Sequence, residues 1–150
     1  MSHIHEKIDF CVEVFIVHKG RVLLRKHEKY GIWLSVGGHV ELDEDPVEAA
    51  KREVKEEVGL DVEIYAGHQK FTDPDGNYVD LIPPVALGRH RVNETHEHVV
   101  FVYFATSDTD TVIPEKPTDE WKWATRDEFD ALELRKNVRD YAAAALETLS

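Results

Sequence analysis

The sequence has little cysteine and no long apolar run. Cys11 is the one cysteine among 150 residues, so the chain cannot form an internal disulfide. It alternates with apolar residues on a predicted strand, which favours a core position over a role as nucleophile. No apolar run approaches the roughly 18 residues that span a membrane, and the N-terminal MSHIHEKIDF lacks the apolar stretch of a secretion signal. We therefore expect a cytoplasmic protein without a membrane partner.

Basic residues are also scarce relative to acidic ones. The chain has 18 Lys and Arg against 30 Asp and Glu, a net charge of −12. Such a charge repels nucleic-acid backbones, so a nucleic-acid polymer is disfavoured as a partner, whereas a nucleotide that arrives with its metal ions is not repelled. The length fits a single domain over residues 1–150, because no repeat or linker divides it. We expect a monomer or a homodimer.

Residues 38–60, GHVELDEDPVEAAKREVKEEVGL, contain the strongest local signals. Asp45 stands at an N-cap position, Pro46 fits the first helical position, and Glu48 completes a capping box. Gly59 ends the pattern as a glycine that closes a helix. The sequence therefore predicts a helix from Pro46 to the residue before Gly59, preceded by a turn at the paired glycines Gly37-Gly38.

The predicted helix has an apolar face with acidic residues beside it. At about 100° per residue, Val47, Ala50, Val54 and Val58 share one arc, which we expect to be buried. Glu53, Glu56 and Glu57 lie on an arc that begins at its edge. Like charges at i,i+4 destabilise a helix by a few tenths of a kcal/mol, so the cluster indicates that divalent metal ions neutralise it. The alternative is a solvated acidic face.

The remaining elements follow from alternation and turn residues. Strands are predicted at 9–17, 21–26, 33–36, 62–69, 85–92, 98–105 and 121–124, with a hairpin turn at Lys19-Gly20 and another turn at 72–77. A loop with two prolines covers 108–118. Thr125 and Glu128 form a second capping box that opens a helix, and an alanine-rich helix is predicted at 137–149. This order indicates a mixed sheet held between helices.

The segment resembles the Nudix box of the MutT-like Nudix hydrolase family, G-x₅-E-x₇-R-E-U-x-E-E-x-G-U with U aliphatic. The matching positions are Gly38, Glu44, Arg52, Glu53, Glu56, Glu57 and Gly59, with Val54 and Leu60 at the aliphatic positions. CVEVFIVHKGRVLLRK resembles the family's first hairpin, and EWKWATRDEFDAL resembles its late strand and helix. Ser35-Val36 replaces the Leu-Pro that members often carry. The resemblance implies the family's α/β fold, an α/β/α sandwich around a mixed β-sheet.

The resemblance also implies a metal centre. It assigns the catalytic set to Glu53, Glu56 and Glu57 together with Arg52 and Glu44. The three helix glutamates would bind the metal, and a backbone carbonyl at Gly37 would add a ligand. Mg²⁺ prefers such oxygen ligands, and Mn²⁺ is expected to substitute. Arg52 would orient a glutamate rather than bind substrate, and an ordinary helix-surface salt bridge is the alternative.

Substrate contacts are implied at four further positions: Arg25, Gly38, His39 and Tyr78. Arg25 stands where relatives place a phosphate-binding residue, although a solvent-facing strand arginine fits as well. Substrate identity stays open, because Pro74 and Tyr78 point to different nucleotides. Trp33, Phe71 and Tyr78 are candidates to stack on a base, but core packing explains each equally.

Two acidic residues and two histidines complete the candidates. Glu115 and Glu120 flank the loop from which relatives draw an extra base or ligand. His96 and His98 flank Glu97, and this short motif alone is a poor zinc site, so we interpret it as part of a strand surface.

The implied function is metal-dependent hydrolysis of a diphosphate bond in a nucleoside diphosphate linked to another moiety, such as a nucleoside triphosphate, ADP-ribose or a dinucleoside polyphosphate. The partner would be a small nucleotide. A catalytically silent, nucleotide-sensing Nudix domain is the alternative, but such domains usually lose box glutamates. An RNA-processing enzyme is a third possibility, disfavoured by the net charge of −12.

Overall fold

The molecule is built on a mixed sheet, described here from a computed structural model that covers residues 7–67 and 73–149. The strands are β1 Ile8–His18, β2 Arg21–Lys26, β3 Trp33–Leu34, β4 Val36–His39, β5 Val62–Ile64, β6 Ala86–Arg91, β7 Glu97–Ser107 and β8 Trp121–Ala124, and the helices are α1 Pro46–Val58, α2 Phe129–Leu132 and α3 Lys136–Leu149. Within the described ranges, no helix is both long and apolar enough to cross a membrane.

The two long strands β1 and β7 form the centre of the sheet. They pair in parallel over most of their length, and the other strand pairs are antiparallel. The main order is β3-β2-β1-β7-β5, with β4 on β1, β6 on β7 and β8 on β2. Strand β4 thus lies against the first half of β1 and carries the paired glycines to the sheet edge beside α1.

Helices cover both faces of this sheet. Val12, Val14 and Ile16 of β1 pack in one apolar cluster with the buried face of α1, whereas Phe15 and Val17 pack in a second cluster with α3. Because successive strand side chains point to opposite faces, the alternation along β1 separates the two layers. The predicted α/β/α sandwich is confirmed.

The paired glycines are not a turn, so that prediction is wrong. Gly37 and Gly38 lie inside β4 and pair with Glu13 and Val12, and neither has a positive φ. The reason for glycine is close approach: a Cβ on Gly37 would lie 2.0 Å from the carbonyl oxygen of Val12, and one on Gly38 would lie 2.4 Å from Oε1 of Glu53.

Several other strands and helices differ from their predicted bounds, because pairing with distant strands determines where they begin and end. The strand predicted at 33–36 is two strands, because β3 pairs with β2 and β4 pairs with β1. The strand predicted at 62–69 ends at Ile64, and the interval 68–72, which includes Phe71 and the start of the predicted turn at 72–77, lies outside the described residues. The helix after Thr125 is a 3₁₀ turn followed by one α-helical turn.

Candidate catalytic site

Helix α1 begins and ends as its local signals predict. The Asp45 side chain accepts from the Glu48 N–H at 2.9 Å, and the Glu48 side chain accepts from the Asp45 N–H at 3.0 Å. At the other end, Gly59 has φ 70° and its N–H donates to the Lys55 carbonyl. The apolar stripe of the helix is buried against the sheet, which fixes the rotation of the helix and the direction of its glutamates.

Glu57 is the most enclosed of the three helix glutamates, with 7% of its surface exposed. Its Oε1 accepts from the Gly37 N–H at 3.0 Å, and its other oxygen forms an ion pair with Arg25 of β2. Burial raises the pKa of Glu57 to about 7, although Arg25 and the Gly37 N–H act in the opposite direction, and the charges of Glu53 and Glu115 raise it further.

Arg25 is therefore not a solvent-facing arginine. Besides Glu57, it contacts Asp119 at 3.4 Å. The Asp119 side chain, with 6% exposed, also accepts from the Lys116 N–H at 3.0 Å. Sequence reasoning missed Asp119, whose only local signal is its position beside Glu120 in the loop before β8. An arginine held by two carboxylates reaches a phosphate only if one of those contacts opens.

Arg52 connects α1 to the loop that precedes it. It donates to both oxygens of Glu44, at 2.7 and 3.0 Å, to Glu53 at 3.0 Å and to Glu56 at 3.2 Å. It also donates to the backbone carbonyl of His39 at 2.9 Å. The bond from Arg52 lowers the pKa of Glu44. This geometry agrees with the expectation that Arg52 orients glutamates; its catalytic role stays a prediction.

The three helix glutamates occupy different environments. Glu53 lies against Gly38; burial raises its pKa, Arg52 opposes that rise, and Glu56 and Glu115 add to it. Glu56 is the most exposed, with 54% of its side chain accessible. An excess of oxygen ligands with mutual repulsion fits a hard divalent cation. Among the described residues, the triplets of ligand atoms within 4.8 Å of one another do not include these glutamates, so the metal assignment stays a prediction.

The loop after β7 brings Glu115, rather than Glu120, toward the helix. The Ile113 N–H donates to the Val58 carbonyl at 2.9 Å, and the Glu115 N–H donates to the Glu57 carbonyl at 3.2 Å. Glu120 instead pairs with Lys26 at 3.6 Å and is 66% exposed. The structure thus separates two positions that the sequence left equivalent.

We expect Glu115→Gln to lower kcat by at least about tenfold and Glu120→Gln to leave it nearly unchanged, since a carboxylate acting as base or ligand typically contributes about 10²–10⁴-fold. Steady-state kinetics of the two variants at saturating metal provide the measurement. Equal losses, or a larger loss for Glu120→Gln, would contradict the geometric distinction.

The remaining predicted substrate positions are dispersed. His39 ends β4 with an exposed ring close to Asp9 and His98. Tyr78 is exposed, and its hydroxyl donates to Asp80 at 3.1 Å; its described contacts do not include the helix glutamates. Trp33 is half-buried below Lys26, 5.8 Å from Nζ to the ring centre. Their proposed contacts with substrate stay predictions.

A cleft beside Glu57 combines both signs of charge. It is lined by Arg25, Lys26, His27, Glu28, Glu115, Lys116 and Asp119. Acidic and basic side chains thus line one cleft, in which cations and polyphosphate oxygens can be accommodated together. This combination of charges fits a site that binds phosphate anhydrides.

Comparisons with known proteins agree. The family model of the NUDIX domain matches residues 10–146. A NUDIX-family hydrolase from Clostridium perfringens has a crystal structure with a TM-score of 0.84, at 34% identity and with 95% of this chain and 98% of that chain covered. An RNA pyrophosphohydrolase from Roseobacter denitrificans is 29% identical over 91% of this chain and 88% of its own length. A CTP pyrophosphohydrolase from Escherichia coli is 30% identical over 61% of this chain and 72% of its own length.

The chain therefore belongs to the NUDIX family. The prediction of a Nudix-type pyrophosphohydrolase is confirmed at the level of enzyme class.

Proposed function

We propose that the protein hydrolyses a diphosphate bond in a small nucleotide by attack of water at phosphorus. The observation that carries the proposal is the nearly buried Glu57 carboxylate, which lies between the Gly37 N–H and Arg25 and whose pKa is raised to about 7. In the metal-free chain, a carboxyl group with such a pKa is partly protonated near neutral pH, and a bound cation would displace that proton. Among the described residues, the side-chain hydrogen bonds of Glu57 are to the Gly37 N–H and to Arg25, and the proposed reaction proceeds without a covalent enzyme intermediate.

Divalent Mg²⁺, with Mn²⁺ as its substitute, is the proposed cofactor. Glu53, Glu56 and Glu57 would hold it, with the Gly37 carbonyl as a possible further ligand. Such an ion neutralises phosphoryl oxygens and acidifies a bound water. Arg52 keeps Glu53 in position through its bonds to Glu44 and the helix. Glu115 is the proposed acceptor of the proton from water, an assignment supported by its N–H bond to the Glu57 carbonyl at 3.2 Å.

The proposed substrate is a nucleoside diphosphate linked to another moiety. Two of the three relatives reported above are pyrophosphohydrolases, one named for RNA and one for CTP. Their names support cleavage of a diphosphate bond and do not specify the leaving group. The chain's net charge of −12 favours a mononucleotide over RNA. RNA remains the second candidate because similarity to the RNA enzyme covers 91% of this chain.

The test is a panel of nucleoside triphosphates, ADP-ribose, dinucleoside polyphosphates and 5′-triphosphorylated RNA, assayed with Mg²⁺ and with Mn²⁺. Hydrolysis in ¹⁸O-water should place one ¹⁸O on a single phosphoryl product. A trapped phosphoenzyme would contradict direct attack by water. Tight nucleotide binding without turnover across the panel would favour the sensing alternative, and preferred turnover of the RNA would replace the small-nucleotide proposal.

Metal should stabilise the fold, and the effect should grow with pH. The pKa of Glu57 is higher in the folded chain than the ordinary value of 4.5, so its stabilising contribution is present at low pH and is lost as pH rises toward 7. The ion binds the deprotonated carboxylate and offsets that loss. At a Mg²⁺ concentration ten times its Kd, we expect the free energy of unfolding to rise by about 1.4 kcal/mol. This corresponds to a Tm increase of about 3–6 °C.

The measurement is thermal unfolding from pH 5 to 8 in EDTA and in excess Mg²⁺. The Mg²⁺-dependent increase in Tm should be small at pH 5 and largest at pH 8, and Glu57→Gln should remove most of its pH dependence. An increase that is independent of pH in the wild-type chain would contradict the role given to Glu57.

A further inference from the structure

A second group of metal-ligating side chains lies at the ends of β1, β4 and β7. One ligand atom each from Cys11, His39 and His98 lie within 4.8 Å of one another. Cys11 pairs with His39 across β1 and β4, and the His39 and His98 rings are edge-to-face at 5.1 Å between centres. These residues are distant in sequence, so the short motif around His98 gave no indication of the group.

This group is on the side of the sheet away from α1. Val12 and Val14 of β1 pack in the cluster below α1, whereas Phe15 packs in the cluster below α3. Cys11 has the same parity along β1 as Phe15 and therefore points away from α1. The group therefore lies on the other face of the sheet from the side chains of the helix glutamates, although the charge of Glu53 still reaches Cys11.

The ligand types also differ from those of the helix. Two imidazoles and one thiol suit a borderline cation such as Zn²⁺, whereas carboxylates alone suit Mg²⁺. Zn–N bonds of about 2.0–2.1 Å and Zn–S bonds of about 2.3 Å place tetrahedral ligand atoms about 3.3–3.7 Å apart. The ligand atoms of Cys11, His39 and His98 must move closer by about an ångström to reach those separations. The exposed side chain of His39 is free to make such a movement.

Asp9 lies near two of the histidines and could orient one of them. Its carboxylate lies 3.7 Å from Nε2 of His39 and 3.0 Å from Nε2 of His96. A carboxylate hydrogen-bonded to one ring nitrogen orients the ring and leaves the other nitrogen for the metal. If the Asp9 contact with His39 shortens to a hydrogen bond, Nδ1 of His39 becomes the ligating atom.

Cys11 is shielded from solvent and lies near several carboxylates. Burial, followed by the charges of Asp9, Glu13 and Glu53, raises the pKa of the Cys11 thiol to about 12. Without a cation the thiol is therefore neutral. Metal binding forms the S–metal bond and releases the thiol proton to solvent, and the same carboxylates attract the ion. Burial and the neighbouring histidines lower the pKa of His98, which favours the neutral imidazole that binds a metal.

We propose that Cys11, His39 and His98 form a site for one Zn²⁺-type transition-metal ion, with Asp9 orienting His39 and water in the fourth position. The ion connects β1, β4 and β7 at their shared end. It is distinct from the Mg²⁺ proposed at the helix and does not depend on the hydrolytic proposal.

The experiment is calorimetric titration of the untagged, metal-stripped chain with Zn²⁺ in excess Mg²⁺, together with Co²⁺ absorption spectra. We expect one Zn²⁺ per chain and a thiolate-to-Co²⁺ charge-transfer band. His98→Ala and His39→Ala should each weaken Zn²⁺ binding by more than about 100-fold, since loss of a ligand exceeds the 10–100-fold cost of losing its outer partner. Cys11→Ser should abolish the band, and thermal unfolding checks that each variant is folded.

Four matched variants decide between this site and others. His27→Ala, in a surface turn, and His96→Ala should retain one Zn²⁺. If Glu57→Gln still binds one Zn²⁺, the ion is not bound by the helix glutamates. If a His3→Ala/His5→Ala variant still binds one Zn²⁺, the ion is not bound by the N-terminal histidines. Loss in any of these four, Zn²⁺ binding without a thiolate band, or no Zn²⁺ binding at all would overturn the proposal. Loss in His96→Ala with retention in Cys11→Ser would assign the ion to Asp9, His96 and His98, which also lie within 4.8 Å of one another.

Discussion

Replacing Glu57 by Gln should lower kcat by about 10²–10⁴-fold while the chain stays folded. The amide oxygen of Gln can still accept from the Gly37 N–H, which Glu57 contacts at 3.0 Å, so the local hydrogen bond survives. The negative charge that would hold a metal ion is lost. The replacement loses the ion pair with Arg25 but removes a desolvated charge, and Arg25 keeps its contact with Asp119 at 3.4 Å, so we expect a small net change in folding free energy.

Steady-state kinetics at saturating Mg²⁺, paired with thermal unfolding, test this expectation. Glu63→Gln is a suitable control, since Glu63 is an exposed glutamate on β5. Both variants should unfold near the wild-type Tm in EDTA. A Glu57→Gln variant with wild-type kcat would remove Glu57 from the proposed metal site, and a loss that disappears at higher Mg²⁺ would indicate weakened affinity rather than lost chemistry.

Adding one methyl group to either of the paired glycines should give two opposite phenotypes. In Gly38→Ala the new Cβ would lie 2.4 Å from Oε1 of Glu53. That oxygen ends a flexible side chain, so it can move, and a displacement of about 1 Å costs about 100-fold in rate. In Gly37→Ala the Cβ would lie 2.0 Å from the backbone oxygen of Val12, so β4 must separate from β1.

We therefore expect Gly38→Ala to lose activity with a small change in Tm, and Gly37→Ala to lose at least about 1–3 kcal/mol of stability. Thermal unfolding and kcat/KM measured on both variants separate the two effects. Gly88→Ala on β6 is the control, because no atom lies within 4 Å of its added Cβ. Equal Tm losses in Gly37→Ala and Gly38→Ala would contradict this assignment.

The helix was predictable because its signals are local. Asp45, Pro46, Glu48 and Gly59 act on backbone groups within one turn of themselves, and the predicted bounds match Pro46–Val58. The central strands were also predictable, because successive side chains of a strand point to opposite faces of the sheet. Apolar residues at every second position therefore indicate a strand with one face in a core. The confirmed sandwich follows from these two periodicities.

The paired glycines illustrate what local signals miss. Glycine is required both where φ is positive and where another group approaches closely, and the sequence does not distinguish the two. Gly59 is the first case, with φ 70°, and Gly37 and Gly38 are the second. Only the positions of Val12 and Glu53 reveal the difference.

Charge partners across the site were equally hidden. Arg25 meets Asp119 from 94 residues away in sequence, and neither position has a local pattern that specifies the other. The burial of Glu57 was also unpredicted. Helical periodicity gives the direction of a side chain around the helix axis, but it does not show how closely the neighbouring strands cover that side chain. The acidic identity of the site was visible in the sequence, whereas its desolvation and its arginine contacts required the fold.

Two main-chain hydrogen bonds attach the loop after β7 to α1, from the Ile113 N–H to the Val58 carbonyl and from the Glu115 N–H to the Glu57 carbonyl, and Val112 packs in the apolar cluster of α1. Such bonds do not depend on which side chain occupies position 115. Over evolutionary time, a lineage can therefore exchange that residue for another acid, an amide or an imidazole without losing the placement of the loop. Under the role proposed for Glu115, reaction preference can change by single substitutions at this position, whereas the close contacts at Gly37 and Gly38 leave almost no such freedom.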